Sequence, residues 1–93
     1  MDVFWTPTAL DDLERIVDYI AERNLVAAIE LHDLIQEKTD LLSHSSLMGR
    51  SGLVKGTREL VVHPHYVVVY DVADTIRIWW CFKKYAVHFN STI

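Results

Sequence analysis

The spacing of apolar residues changes once along this chain, and that change limits the fold more than any other feature. From Leu10 to Leu42, apolar residues recur at steps of three and four, which places them on one face of an α-helix. From Thr57 to Phe82 they form short runs separated by turn residues, a pattern typical of β-strands. With a short apolar segment over residues 3–5 as a first strand, the sequence predicts a small α+β domain.

The helical half carries the end signals of two separate helices. Thr6 can cap the free amides of a first helix with Pro7 at its first position, and we expect this helix to run to about Arg23. Asn24 can end the first helix or cap the second, which we expect to continue to about Leu42. Because the joint between them is so short, the two helices should form an antiparallel hairpin.

The second half predicts a loop and three strands. Residues 43–56 are rich in Ser and Gly, and we expect Leu47, Met48, Leu53 and Val54 to fix this loop. Strands follow at 57–62, 66–72 and 75 to about 82, and Pro64 marks the first turn because proline cannot sit inside a central strand. The predicted fold is therefore a helical hairpin packed on a small antiparallel sheet, in the order β-α-α-β-β-β, as one domain over residues 1–93.

Composition excludes several classes of protein. The chain is 51% hydrophobic, which is a folding rather than a disordered composition. Its single cysteine, Cys81, excludes an internal disulfide and a cysteine-based zinc site, and it fits a reducing compartment. The N-terminus lacks the pattern of a signal peptide, and the apolar runs are far shorter than the roughly 18 residues needed to cross a bilayer. We expect a cytoplasmic protein with no membrane association and no cofactor.

Charge is divided unevenly along the chain. Residues 1–46 contain ten acidic and three basic residues, a balance of −7, whereas residues 47–93 contain six basic and three acidic residues, a balance of +3. A basic half of this kind can attract nucleic acid or an acidic protein. A solvated acidic helix face explains most of the asymmetry without any function.

Five segments, taken in order, match the pattern of one known family. They are Trp5-Thr6-Pro7-Thr8-Ala9-Leu10-Asp11-Asp12-Leu13, Gly49-Arg50, Gly56-Thr57-Arg58-Glu59-Leu60-Val61-Val62, Tyr66-Val67-Val68-Val69-Tyr70-Asp71-Val72 and Ile76-Arg77-Ile78. Over roughly residues 3–78 the chain thus resembles RelE/ParE toxins of type II toxin–antitoxin systems, more the ParE type than the RelE type. The resemblance implies a bacterial toxin held by a cognate antitoxin, which would wrap the helical hairpin and the exposed sheet edge as a segment that folds on binding.

The resemblance leaves the target open, and Val67 bears on it. RelE-type members cleave messenger RNA on the ribosome, whereas ParE-type members inhibit DNA gyrase. RNA cleavage without a metal needs a base, an acid and cations, and RelE-type nucleases carry a key arginine after the aromatic residue that opens the middle strand. In this chain Val67 follows Tyr66, and valine can neither stabilise charge nor move a proton. We therefore expect a ParE-like toxin that inhibits gyrase by binding.

Two alternatives stay open. One is a RelE-like, metal-independent endoribonuclease that acts on the ribosome and its messenger RNA. The other is an inactive toxin-like binding module, which the atypical tail from about residue 79 favours because the family pattern is lost there. The candidate catalytic residues of the nuclease would be Lys83, Lys84, Tyr85 and His88, which offer phosphate contacts, an acid and a base.

The candidate target-binding residues lie in the basic half of the chain: Arg50, Arg58, Arg77, Lys83 and Lys84. Each also has a structural interpretation, such as an ion pair for Arg58 or charges exposed at a strand end for the lysines. The strand period places Arg77 on the same face as Trp79 and Cys81.

Two further groups have functional and structural interpretations. One interpretation of Trp79 and Trp80 is a surface that binds the antitoxin or a second copy of the chain. The other interpretation is that they belong to the ordinary core. His63 and His65 flank Pro64 and could bind a metal, but no third ligand stands near in sequence, so we predict no metal site.

Overall fold

In the computed structural model, which describes residues 1–84, two helices cover one face of a five-stranded sheet. The elements are β1 (Val3–Trp5), α1 (Pro7–Ala21), α2 (Leu25–Asp40), a 3-10 turn (Leu41–Ser43), β2 (Arg50–Ser51), β3 (Arg58–His63), β4 (Tyr66–Val72) and β5 (Ile76–Lys83). The predicted α+β class and the order of the predicted elements are confirmed. The two-residue β2 is an addition, and it lies within the predicted loop.

Both predicted helix caps are present. The side chain of Thr6 accepts a hydrogen bond from the Ala9 amide at 3.2 Å, and that of Asn24 accepts one from the Ala27 amide at 3.0 Å. Asn24 has the extended backbone that a capping residue needs, with φ −155° and ψ 96°. The second helix begins directly after Asn24, and the first ends at Ala21, two residues before the predicted end at Arg23.

The sheet is mixed, which corrects the prediction of an antiparallel sheet. Its strand order is β1-β5-β4-β3-β2, and β2 to β5 pair antiparallel as a meander. The strand β1 pairs parallel with β5, with Val3 opposite Ile76 and Trp5 opposite Ile78. Turn signals predicted the pairing of the later strands, whereas the partner of β1 lies more than seventy residues away and has no local signal.

A bulge in β5 decides which of its side chains share a face. The register between β4 and β5 shifts by one residue at Trp79. Ile78, before the bulge, and Cys81, after it, therefore both belong to the buried core beneath the helices. The prediction that Arg77, Trp79 and Cys81 share a face is wrong for Cys81, because one inserted residue reverses the alternation.

The hydrophobic core lies between the helices and one face of the sheet. Its buried members come from both helices and the three long strands: Ala9, Leu13, Leu31, Ile35, Leu42, Leu60, Val62, Tyr66, Val68, Tyr70, Ile76, Ile78 and Cys81. The opposite face, here called the open face, consists in register of Glu59, Val61, Val67, Val69, Asp71, Arg77, Trp80 and Phe82. Neither helix in residues 1–84 is long and apolar enough to cross a membrane.

Candidate functional site

A buried tyrosine holds the loop that leads from α2 into the sheet. The Tyr70 side chain is fully buried, and its hydroxyl donates to the Ser46 carbonyl at 2.8 Å and accepts from the Gly49 amide at 2.9 Å. A Cβ at Gly49 would lie 2.8 Å from both the Tyr70 ring and the Glu59 carbonyl oxygen. Glycine is therefore required at position 49, and the loop sits directly on the tyrosine.

Two neighbouring residues of β3 complete the attachment of this loop. The Arg58 guanidinium donates to the carbonyls of Gly49 at 2.8 Å and Leu47 at 3.4 Å. The Glu59 carboxylate accepts from Arg50 Nη2 at 3.1 Å and from the Leu53 amide at 3.3 Å. We call residues 46–54 the anchored loop, because side chains on two strands fix it at both ends.

The anchored loop exposes its large apolar side chains. Leu53 is 97% exposed and Leu47 is 65% exposed, and Met48 and Val54 are also exposed. The expectation that these four residues fix the loop is therefore wrong. Hydrogen bonds with the side chains of Tyr70, Arg58 and Glu59 hold the loop instead, and its apolar side chains remain in solvent.

A pocket of about 510 Å³ lies between the anchored loop and the open face. The described residues that line it are Arg50, Ser51, Leu53, Glu59, Val67, Phe82, Lys83 and Lys84. Val67 is buried at the centre of the sheet, opposite Phe82, so the floor of the pocket is apolar. Three of the five predicted target-binding residues, Arg50, Lys83 and Lys84, thus meet around one cavity.

The other two predicted target-binding residues lie elsewhere. Arg58 faces the loop carbonyls described above. Arg77 lies toward the β1 edge of the open face, where its Nε and Nη2 each donate to an Asp71 carboxylate oxygen at 3.0 Å. Its guanidinium carbon lies 5.4 Å from the centre of a Trp79 ring, which agrees with the predicted shared face of these two residues. Asp71 is the residue that sequence analysis missed here, although it lies directly opposite Arg77 in the sheet.

The two tryptophans differ in exposure. Trp79 is half-buried beside Arg77, whereas Trp80 is 40% exposed on the open face. Phe82 and Val61 are exposed on the same face to a similar extent. The candidate residues Tyr85 and His88 lie outside the described residues.

The histidine pair supports the β3–β4 turn. The His65 amide donates to His63 Nδ1 at 3.1 Å, and the two rings lie 5.7 Å apart. Burial lowers the pKa of His63, and the neighbouring His65 lowers it further. Among residues 1–84, no group of three or more His, Cys, Asp or Glu side chains is placed to hold a metal ion.

Asp12 joins α1 to the far half of β5. Its Oδ2 accepts a hydrogen bond from the Cys81 amide at 3.1 Å, just beyond the bulge. Burial of Cys81, with Asp12 beside it, raises the pKa of the Cys81 thiol to about 12. No local sequence pattern indicates this contact, because the two residues are 69 positions apart.

Comparisons with known proteins identify the family. Residues 3–80 match the model of the ParE toxin of type II toxin–antitoxin system, parDE. Toxin RelE2 of Caulobacter vibrioides is 42% identical over 73 residues, which cover 77% of this chain and 81% of that protein.

Solved structures share the fold. The chromosomal ParDE system of P. aeruginosa contains a chain that matches with a TM-score of 0.82 at 23% identity, over 91% of this chain and 97% of the other. The YoeB dimer of Staphylococcus aureus matches with a TM-score of 0.64 at 16% identity, over 91% and 98%. The predicted resemblance is confirmed, and the chain belongs to the ParE toxin family within the RelE/ParE superfamily.

Proposed function

We propose that this toxin arrests growth by binding DNA gyrase in the cytoplasm, and that it is not a nuclease. The observation that carries this proposal is the state of the arginines around the open face. Asp71 holds Arg77, Glu59 holds Arg50, and loop carbonyls hold Arg58. Arginines whose donor groups already bind carboxylates or carbonyl oxygens within the protein are poorly placed to stabilise the charge of a phosphorane.

Among residues 1–84, the centre of the open face has no side chain that is placed to transfer a proton. Val67 and Phe82 face each other there, and the nearest carboxylate, Glu59, already accepts hydrogen bonds from Arg50 and the Leu53 amide. A general acid or base must reach the proton that it transfers. An apolar floor surrounded by cations is better suited to contact with a protein than to the cleavage of RNA.

A cognate antitoxin is the second partner in this proposal. The family is defined by toxins that such partners neutralise, and the tip of the helical hairpin exposes Leu25, Val26 and Ile29, each more than half exposed. A contiguous apolar patch of this kind is a favourable site for a segment that folds on binding. Through release from its antitoxin, the toxin would act in growth arrest and plasmid stabilisation.

A RelE-like endoribonuclease is the alternative, and one observation favours it. The relative that is 42% identical is named RelE2. In that case Lys83 and Lys84, together with Tyr85 and His88, would supply the cations, the acid and the base from the end of the chain. A toxin-like module without activity is the third candidate, and a second copy of the chain is a further possible partner for Trp80.

Inducible expression without the antitoxin separates these functions. We expect growth arrest with altered plasmid supercoiling and intact messenger RNA, and rescue when the antitoxin is expressed with the toxin. A His88→Ala variant is the matched control, because a nuclease that uses the tail would lose activity and a gyrase inhibitor that uses the open face would retain it. Cleaved messages would contradict the proposal, and soluble toxin without arrest would favour the inactive module.

A further inference from the structure

We propose that the anchored loop and the pocket beside it are the docking surface for an acidic segment of the target protein, one that inserts an apolar side chain. This inference rests on the proposed function, because it locates the surface through which a protein target is held. It differs from that proposal in naming the residues that bind and the chemistry of the partner.

The first support is that the loop is ordered although its apolar side chains are bare. Tyr70, Arg58 and Glu59 fix its backbone, while Leu53 at 97% exposure makes almost no contact with the rest of the protein. A simple connection between a helix and a strand needs no such attachment. A binding loop benefits from it, because a loop that is already ordered loses little conformational entropy when the partner arrives.

The second support is the pocket. Leu53, Val67 and Phe82 give it an apolar lining, and its volume of about 510 Å³ is within the usual range of binding pockets. Buried apolar side chains that fill such pockets often contribute most of the binding energy of an interface. The pocket is also continuous with the loop, since Leu53 belongs to both.

The third support is the positive charge of this surface, which indicates that the partner segment is acidic. Arg50 is paired with Glu59 and Arg58 donates to loop carbonyls, whereas Lys55 beside the loop is exposed. Lys83 and Lys84 line the pocket, and Glu59, the one carboxylate among its described lining residues, is paired with Arg50, so this lining carries an excess of positive charge. A partner segment with carboxylates beside its apolar side chain complements this surface.

Charge also distinguishes this surface from the hairpin tip. At the tip, the exposed Leu25, Val26 and Ile29 lie in a segment that contains Glu22, Arg23 and Glu30, and residues 1–46 as a whole have a charge balance of −7. An acidic segment is repelled from the tip and attracted to the anchored loop. The two exposed apolar surfaces therefore select different partners, and we assign the loop to the target.

The test compares two leucines that are both largely exposed. Leu53→Ser changes the loop and Leu25→Ser changes the hairpin tip, and neither should destabilise the fold appreciably, since neither side chain is buried. The readouts are the inducer dose that arrests growth, inhibition of purified gyrase, and affinity for the purified antitoxin. We expect Leu53→Ser to weaken arrest and inhibition by about tenfold or more with unchanged antitoxin affinity. Leu25→Ser should instead weaken the affinity for the antitoxin, because the hairpin tip is the proposed antitoxin site.

A charge variant tests the nature of the partner. Lys55 is exposed, and Lys55→Glu should weaken inhibition of the target further at low salt than at high salt, because screening reduces the repulsion.

Three results would overturn the proposal. They are wild-type arrest by Leu53→Ser, a loss of antitoxin affinity in that variant with target inhibition retained, or tighter binding of the target by Lys55→Glu. If the wild-type toxin arrests growth without inhibiting gyrase, the proposed gyrase function fails. The docking surface is then still tested by the inducer dose at which the Leu53→Ser variant arrests growth.

Discussion

Replacing Tyr70 with phenylalanine tests how the anchored loop is held. The ring is fully buried, and phenylalanine keeps its packing, so the change removes the hydroxyl without creating a cavity. The Gly49 amide then loses its acceptor and the Ser46 carbonyl loses its donor. Leaving a buried polar group without a partner costs about 1–3 kcal/mol, and we expect the free energy of unfolding to fall by about 2 kcal/mol.

Thermal unfolding measures this loss directly. A domain of this size loses roughly 4–8 °C per kcal/mol, so Tm should fall by roughly 8–16 °C. Tyr19→Phe is the matched control, because Tyr19 is 59% exposed, and this variant should unfold close to the wild-type temperature. Amide exchange at Gly49 should also become faster in the Tyr70→Phe protein. A Tm within about 4 °C of wild type would refute the role of this hydroxyl in holding the loop.

Three further predictions concern groups that the fold buries wholly or in part. Asp12→Ala removes the acceptor of the Cys81 amide, so the free energy of unfolding should fall by about 1–3 kcal/mol. Hydrogen exchange of the Cys81 amide should also accelerate. An exchange rate equal to that of the wild type would show that the hydrogen bond is absent in solution. The raised pKa of Cys81, about 12, keeps it protonated, so at pH 8 iodoacetamide should modify the native protein far more slowly than the unfolded one, and equal rates would contradict its burial. His63 has a pKa below its ordinary value of 6.5, so the unfolded state binds more protons as the pH falls below that value. Stability should therefore decrease with acidification through this range, and His63→Asn should reduce the decrease measured by urea unfolding at several pH values.

Much of the fold follows from local sequence signals. Thr6 and Asn24 cap the helices as predicted, and the strand over residues 66–72 has the bounds that its apolar run indicated. These features depend on residues that are close together in the chain, so they can be predicted from the sequence. The parallel partner of β1 and the bulge at Trp79 depend on distant pairing, and no local pattern encodes either one.

Of the candidate site, only the basic residues could be predicted from the sequence. The basic half of the chain indicated Arg50, Lys83 and Lys84, and the fold places these three around one pocket. The loop was misjudged because apolar residues are usually buried, and Leu53 is not. A tyrosine within an otherwise apolar strand was the available signal, since a buried Tyr70 hydroxyl must find hydrogen-bond partners.

The central claim, that this toxin binds a protein and does not cleave RNA, is tested most directly with purified components. The measurement is DNA supercoiling by gyrase as the toxin is added, alongside ribosomes translating a labelled message, each with and without the antitoxin. We predict that supercoiling is inhibited in a dose-dependent way, that the antitoxin reverses the inhibition, and that the message stays intact. Cleavage of the message with unchanged supercoiling would contradict the account, and would show that the residues around Val67 do not exclude a nuclease.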